Sequence, residues 1–366
     1  MSILSPQFQA MVTQDVWASL VAQVEAQSTN LHVIKAHTLT NVGGDAGMKI
    51  AAAIGMLPAG VGGLVDATGF PNPQTLSGFT IPPGVTVLLG PIFHTAIGAI
   101  PIIVNQGGRL FGVGTNSPGA TTIKLGDTLN RDLIKCVSTA GESGWWHHGE
   151  LRAFRLLGNK FNNTIGHCLS VYGIAETSLI QRLNISDAPQ AGLYHKGSAS
   201  GTGSIENVTV NACAQYGVQF DQFRSSLLLK SVGGDQNPVT FAITNPSQGG
   251  GAILLIDPKS EGAVGADHDP CVLIQGGSAK VTLTIQGGNF TTPNQDKTMI
   301  RIAADVMVNP GIQIMGLSSG NGFTKLIDDV KNDVVVATPP LTYHQFFAYC
   351  GGKYARFDET GFFRLS

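Results

Sequence analysis

Three stretches, HCLSVYGIAETSLIQRLNIS (167–186), AGLYHKGSASGTGSIENVTV (191–210) and YGVQFDQFRSSLLLKSVGGD (216–235), repeat one pattern. Each is a short apolar strand, a turn bearing glycine or serine, and a second apolar strand. Aligned, they place Leu169, Leu193, Val218 and Phe241 at one position, and Val171, His195, Phe220 and Ile243 two residues on. The second strands align Ile180, Ile205, Leu228 and Ile253. The resulting period of 23–25 residues is too short for a propeller blade. It lacks the frame of a leucine-rich repeat and leaves no room for a helix. One turn of a parallel β-helix fits. A lone coil of that kind cannot bury its apolar face, whereas stacked coils share one core and pair each backbone group with the coils above and below.

Composition agrees. The 366 residues include 47 glycines, roughly twice the usual ~7%, and only 13% charged residues, about half the usual ~25%. Short strands joined by tight turns follow from such usage; long amphipathic helices do not. A net charge of -2 gives no electrostatic basis for nucleic acid or an anionic membrane. No apolar run reaches the ~20 residues of a membrane span, so neither partner is expected. The cysteines Cys136, Cys168, Cys213, Cys271 and Cys350 are scattered without a CxxC pair, which reads as buried thiols. The N-terminal MSILSPQFQAMVTQD lacks a basic segment followed by an apolar core, so no secretory signal is read.

Along the chain, Ser5-Pro6 reads as an N-cap with proline at the first helical position. Phe8, Met11, Val12, Val16, Leu20, Val21 and Val24 then recur at helical spacing. Residues 1–44 are therefore expected to form a helical arm that docks or contacts another subunit. A second helix is expected over Asp45–Gly60, ended by Pro58 and Gly60. Coils should then run through residues 45–335. The aromatic segment 336–366, FFAYCGGKYARFDETGFFRLS at its end, breaks the period and reads as a cap or an oligomer contact.

In GMKIAAAIGMLPAGVGGLVDATG, in IPPGVTVLLG…GGRLFGVG and in coils such as GSIENVTVNACAQYGVQF, the chain resembles the right-handed parallel β-helix proteins of the pectate-lyase-like superfamily. That group includes the spike-type proteins of phage tails. The resemblance covers roughly residues 45–335 and implies an all-β, single-stranded right-handed parallel β-helix, a solenoid whose open end is sealed by the Asp45–Gly60 helix. It implies no single catalytic signature. An extracellular or virion-associated setting is expected.

The register turns sequence distance into spatial neighbourhood, with residues one coil apart about 4.8 Å from each other on the same face. Outward columns Ser170, Tyr194, Gln219, Ala242 and Tyr172, Lys196, Asp221, Thr244 would join Tyr172, Tyr194, Lys196, Gln219 and Asp221 in one polar-aromatic patch. Such a patch suits a sugar polymer. For lyase chemistry Lys196 would be cation or base, and Tyr172 or Tyr194 the acid. A hydrolase needs two carboxylates roughly 5–9.5 Å apart: Asp221 and one of Glu176, Asp187 or Asp235. The bland reading is a solvated face with a weak Lys196–Asp221 pair.

GESGWWHHGELRAFR (141–155) precedes the patch by one coil. Alternation would put one of Trp145 and Trp146, and one of His147 and His148, on each face. The exposed tryptophan and Arg152 would extend the sugar platform, and an outward histidine, His147 among the catalytic candidates, would serve as base near neutral pH. The alternative places one tryptophan in the core and the rest at an oligomer contact. His195 is inward and reads as core. Asp267, His268 and Asp269 are neighbours on one loop, short of the several turns from which calcium and zinc sites gather ligands, so no metal or cofactor is expected. The N-x-S/T sequons at Asn162, Asn184, Asn207 and Asn289 read as turn chemistry. Two function classes follow: polysaccharide binding on the flank, with or without cleavage by a lyase or glycosidase, and a non-catalytic structural or adhesive homo-oligomer, a trimer before other states.

Overall fold

Parallel pairing runs from the strand Val33–Lys35, bound to Gly63–Ala67, through to Ile312 opposite Val336. A computed structural model describes residues 32–365 except 116–118, 199–202, 248–249, 262–269, 292–296, 308–309, 316–319, 322, 330–335, 338–345, 351–352 and 358–362. The expected helix within residues 1–28 and the trio Asp267, His268 and Asp269 lie outside the described residues. The chain forms a right-handed parallel β-helix of about 10 turns. Among the described residues no helix is long and apolar enough to cross a membrane.

Each coil has three sides. Gly63–Ala67, Val85–Leu89 and Arg109–Phe111 stack on the first, and Gln74–Ser77, Phe93–Ile97 and Thr122–Leu125 on the second. The long strand Glu150–Leu157 continues both, pairing with Arg109–Phe111 through its first half and with the strand at Thr122 through its second. The third side stacks Ile102–Asn105, Ile134–Val137, Leu169–Tyr172, Ala191–Ser198, the start of Tyr216–Asp235, and Val239–Thr244.

On that third side the expected columns are the observed partners. Leu169, Leu193, Val218 and Phe241 pair in sequence, as do Val171, His195, Phe220 and Ile243. All eight are buried. The first column continues from Ile102 and Ile134 before them to Val272, Ile300 and Ile327 after them. The expected second-strand set needs correction. Ile180 and Ile205 stack on Leu229 and Leu255, while Ile253 pairs with Leu227. Leu228 is thus one residue out of register. In the uniform run Leu227-Leu228-Leu229 alternation gives no signal, and a one-residue slip exchanges the faces.

Corners also stack. Gly173, Gly197, Gln222, Asn245 and Gly276 follow the paired ends of the third-side strands, and all have positive φ. Ala153, Arg182, Asn207, Ser231 and Asp257 form a second left-handed column where the first side bends into the second. The non-glycine members carry a conformation that disfavours a Cβ, held there by the ladders on either side.

The N-terminal helix spans Ala46–Gly55, shorter than expected, and buries Ala46, Gly47, Ile50 and Ala53. Asp45 caps it. Its carboxylate accepts from Met48 N (3.0 Å), Ser77 N (3.0 Å) and Ser77 Oγ (2.9 Å), tying the helix to the strand Gln74–Ser77. Asp45→Ala removes the cap and strands the Ser77 donors, so a loss of about 2 kcal/mol is expected as a lower urea midpoint. Beyond Val336 pairing becomes antiparallel, with Phe346–Cys350, Lys353–Phe357 and Phe363–Leu365 as successive neighbours.

Candidate functional site

The third side carries the polar residues singled out above. Tyr172 pairs with Lys196, Lys196 with Asp221, and Asp221 with Thr244; Ser170, Tyr194, Gln219 and Ala242 form the adjacent column. The columns align, yet much of this face is dry. Ser170, Ala242 and Thr244 are buried, and Tyr172 is only 7% exposed, which corrects the expectation of an open tyrosine. Larger neighbours provide the cover. His167 stacks on Tyr194 (4.3 Å between centroids, 4° between planes), Tyr194 meets Tyr172 edge-on, and Lys135 Nζ lies 5.7 Å from the Tyr172 ring centre.

Asp221 is held by three donors: Tyr194 Oη (2.9 Å), Thr244 Oγ1 (3.0 Å) and Asn245 Nδ2 (3.2 Å). Gln219 in turn donates to Thr244 Oγ1 at 3.1 Å. The pair expected between Lys196 and Asp221 is absent: among the described residues Lys196 forms no ion pair, although the two strands put them side by side. Burial, then the Asp221 charge, pushes the Tyr194 phenol up; burial, with Asp132 and Glu142, does the same for Tyr172. Both phenols therefore stay protonated near neutral pH and act as donors. Lys135 loses affinity for its proton through burial, but Glu142 at 2.8 Å and Asp132 at 3.6 Å outweigh this and raise it. Asp187 and Asp235 belong to other elements, Asp187 just past the strand Leu179–Ser186 and Asp235 at the far end of its long strand beside Glu261.

A recess of about 170 Å³ opens where this face reaches its left-handed corner. Its walls include Glu142, Trp145, Tyr172, Lys196, Gln222 and Arg224. The local cause is coil length. Ile134 and Leu169, partners on adjacent coils, are 35 residues apart, against 24 for Leu169 and Leu193. About half of the surplus lies in the turn around residues 138–149, which folds over the corner, and the rest in the connection that follows Leu157. Gly173 permits the approach: a Cβ there would lie 3.0 Å from Gly144 O and 3.1 Å from Trp145 Cδ1, and its φ is +66°. Glu142, Gln222 and Arg224 were missed from sequence because Glu142 sits in a turn, and Gln222 and Arg224 sit where the long strand Tyr216–Asp235 bends and its register shifts, so simple alternation does not assign their faces. Gln222 and Arg224, just past the aligned Asp221, were the recoverable part of the signal.

Trp145 is 48% exposed and Trp146 fully buried. Trp146 is therefore a core residue and not a sugar contact. Its backbone bridges to Ile174 on the next coil, which fixes its side chain inward. Arg152 is also displaced from the patch. It belongs to the first side, where it stacks over Phe111 (4.3 Å), lies 3.5 Å from Glu150, and borders a separate recess of about 740 Å³ shared with Arg182. His147 lies on the turn beyond Trp145, half-buried, against His148 and Glu176 and not against the Tyr172–Asp221 column. His195 is wholly interior: its Nε2 accepts from Ile174 N at 3.2 Å, its ring packs on Phe223, and burial lowers it to about 3. Cys136, Cys168, Cys213 and Cys271 are buried, and burial pushes Cys213 up to about 12.

No protein-family model and no curated protein sequence matches the chain. Among solved structures it is similar to ORF18 of Geobacillus virus E2, at 12% identity and TM-score 0.45 over 94% of this chain and 69% of that one. It is similar also to the Dettilon tailspike protein gp208, at 10% identity and TM-score 0.41 over 88% and 77% of the two chains. A third is the A-module of the Azotobacter vinelandii mannuronan C-5 epimerase AlgE6, at 14% identity and TM-score 0.34 over 82% and 97%.

Proposed function

We propose that the protein binds an extended acidic glycan along its third side, with the recess beneath Trp145 as the principal contact. One observation carries the reading: an exposed tryptophan converges with Lys196 and Arg224 on a single recess. The one carboxylate among its lining residues, Glu142, is already paired with Lys135. An indole face suits the apolar side of a pyranose ring. The cations suit its carboxylate or sulfate, and their benefit is greatest where water is partly excluded. Asp221, with three donors on it, serves as the anchor of the surface, and the tyrosines as fixed hydrogen-bond donors. Binding without cleavage is the function this arrangement supports best.

The test is calorimetry of uronate-rich, sulfated and neutral oligosaccharides, with unsaturated product and reducing ends measured in parallel. Trp145→Ala is expected to weaken the acidic ligand about 30-fold, the loss of roughly 2 kcal/mol common for a central tryptophan. Lys196→Ala should cost several-fold at low salt and less at high salt. Equal affinity of parent and Trp145→Ala for acidic and neutral sugars would overturn the proposal. So would a homo-oligomeric mass by light scattering together with Trp145 fluorescence shielded from a soluble quencher, which is the structural and adhesive alternative.

A further inference from the structure

On the other side of Trp145, two successive turns bring together a second set of groups. His147, His148 and Glu176 each offer a ligand atom, and the three atoms lie within 4.8 Å of one another. The scaffold beneath them is rigid. His148 N donates to Glu176 O (3.0 Å), Ala175 N to Trp146 O (2.9 Å) and Ser178 Oγ to the same Trp146 carbonyl (2.9 Å), so the turns of adjacent coils are closed onto each other. His147 O accepts from Gly107 N on the preceding coil (2.8 Å). His148 and Thr177, at 2.6 Å between Nδ1 and Oγ1, both adopt positive φ.

We propose that His147, His148 and Glu176 bind one divalent transition-metal ion of the zinc type, with a coordination position left open to solvent or ligand. Three features converge on this. Two imidazoles and one carboxylate form a donor set suited to zinc and its neighbours and unsuited to calcium, which takes oxygen ligands. Thr177 supplies the outer contact that metal-bound histidines ordinarily have: with Nδ1–H of His148 donating to its hydroxyl, the Nε2 lone pair is left for the ion. His147 Nδ1 is buried and has no hydrogen-bond partner, which a role as ligand or as orienting donor in a loaded site would resolve. Ligand atoms around tetrahedral zinc lie roughly 3.4 Å apart, so side-chain rotations of little more than an ångström complete the geometry. His147 and Glu176 also border a recess of about 370 Å³ that includes Trp145, and the open position would face an incoming oxygen donor there. The site is independent of the glycan reading and is tested without any sugar.

The experiment titrates untagged full-length protein, freed of metal with chelator and exchanged into chelator-free buffer, with Zn²⁺ by calorimetry and with Co²⁺ by visible absorption. One equivalent of Zn²⁺ and the d–d bands of a four- or five-coordinate Co²⁺ ion are expected. His148→Ala and Glu176→Gln should each lower Zn²⁺ affinity about 100-fold or more, and Thr177→Ala about tenfold. His32→Ala, a histidine four coils away at the start of the described stack, should leave it unchanged. Circular dichroism establishes that each variant is folded before titration. No binding by the parent, a stoichiometry far from one, or full retention in both His148→Ala and Glu176→Gln would overturn the assignment. Absence of glycan binding would leave it untouched.

Discussion

Val218→Asp is expected to leave no cooperatively folded protein at neutral pH. Val218 is fully buried between Leu193 and Phe241, in a column that continues through Val272 and Ile300. An aspartate there must either ionise with no partner or take up a proton at great cost. Either outcome, added to the lost packing, exceeds about 5 kcal/mol, comparable to the whole stability of many domains. The paired control is Lys230→Asp on the same continuous strand, where the side chain is exposed and a change of no more than about 1 kcal/mol is expected, including its place opposite Glu206. Urea titrations followed by circular dichroism distinguish the two. A Val218→Asp protein with an unchanged midpoint would mean that this column is not interior.

Acid should unfold the protein well before its carboxylates are neutralised. His94 and His195 are both fully buried, and burial alone lowers them to about 4 and about 3. In the unfolded chain each titrates near 6.5. Between these values the unfolded state holds protons that the native state refuses, so stability falls as pH falls from 6.5 toward 3. At pH 4.5 each histidine contributes roughly 2–3 kcal/mol of loss, about 5 kcal/mol together, relative to pH 7.5. His195→Leu should remove about half of this acid sensitivity. At neutral pH it should cost roughly 1–3 kcal/mol, because Ile174 N loses its acceptor. Urea midpoints of parent and variant at both pH values separate the effects; an unchanged difference between the two pH values in His195→Leu would assign the acid response elsewhere.

The register from Leu169 to Thr244 was legible because three successive coils there differ in length by a residue or two and contain no excursion. The two coils just before it are longer, with Ile102 opposite Ile134 and Ile134 opposite Leu169, so no fixed period links them to the short coils on either side. The face of a residue was legible wherever polar and apolar residues alternate. It failed at Leu227-Leu228-Leu229; at Trp145-Trp146 it gave one ring to each side, as observed, but not which, because a turn and not a strand decides direction there. The recess lay beyond the reach of alternation for the same reason: its walls come from an excursion of one coil and the corners of the next two. Solvent access failed differently. Tyr172 does point outward from the strand, but Lys135 and Tyr194 lie across it, and no single-strand pattern contains that information. His94 was overlooked as an interior residue because FHTAI at 93–97 reads as an ordinary half-exposed strand.

The left-handed vertices have a further consequence. Since the interior dictates where each circuit must bend, residues in excess of one circuit can only leave sideways, and the circuit above resumes in phase. Ornament and frame are thereby uncoupled. The excursion bearing Trp145, His147 and His148 resembles an interchangeable tool on a fixed mast, free to diversify in length and chemistry while the pillar behind it stays the same.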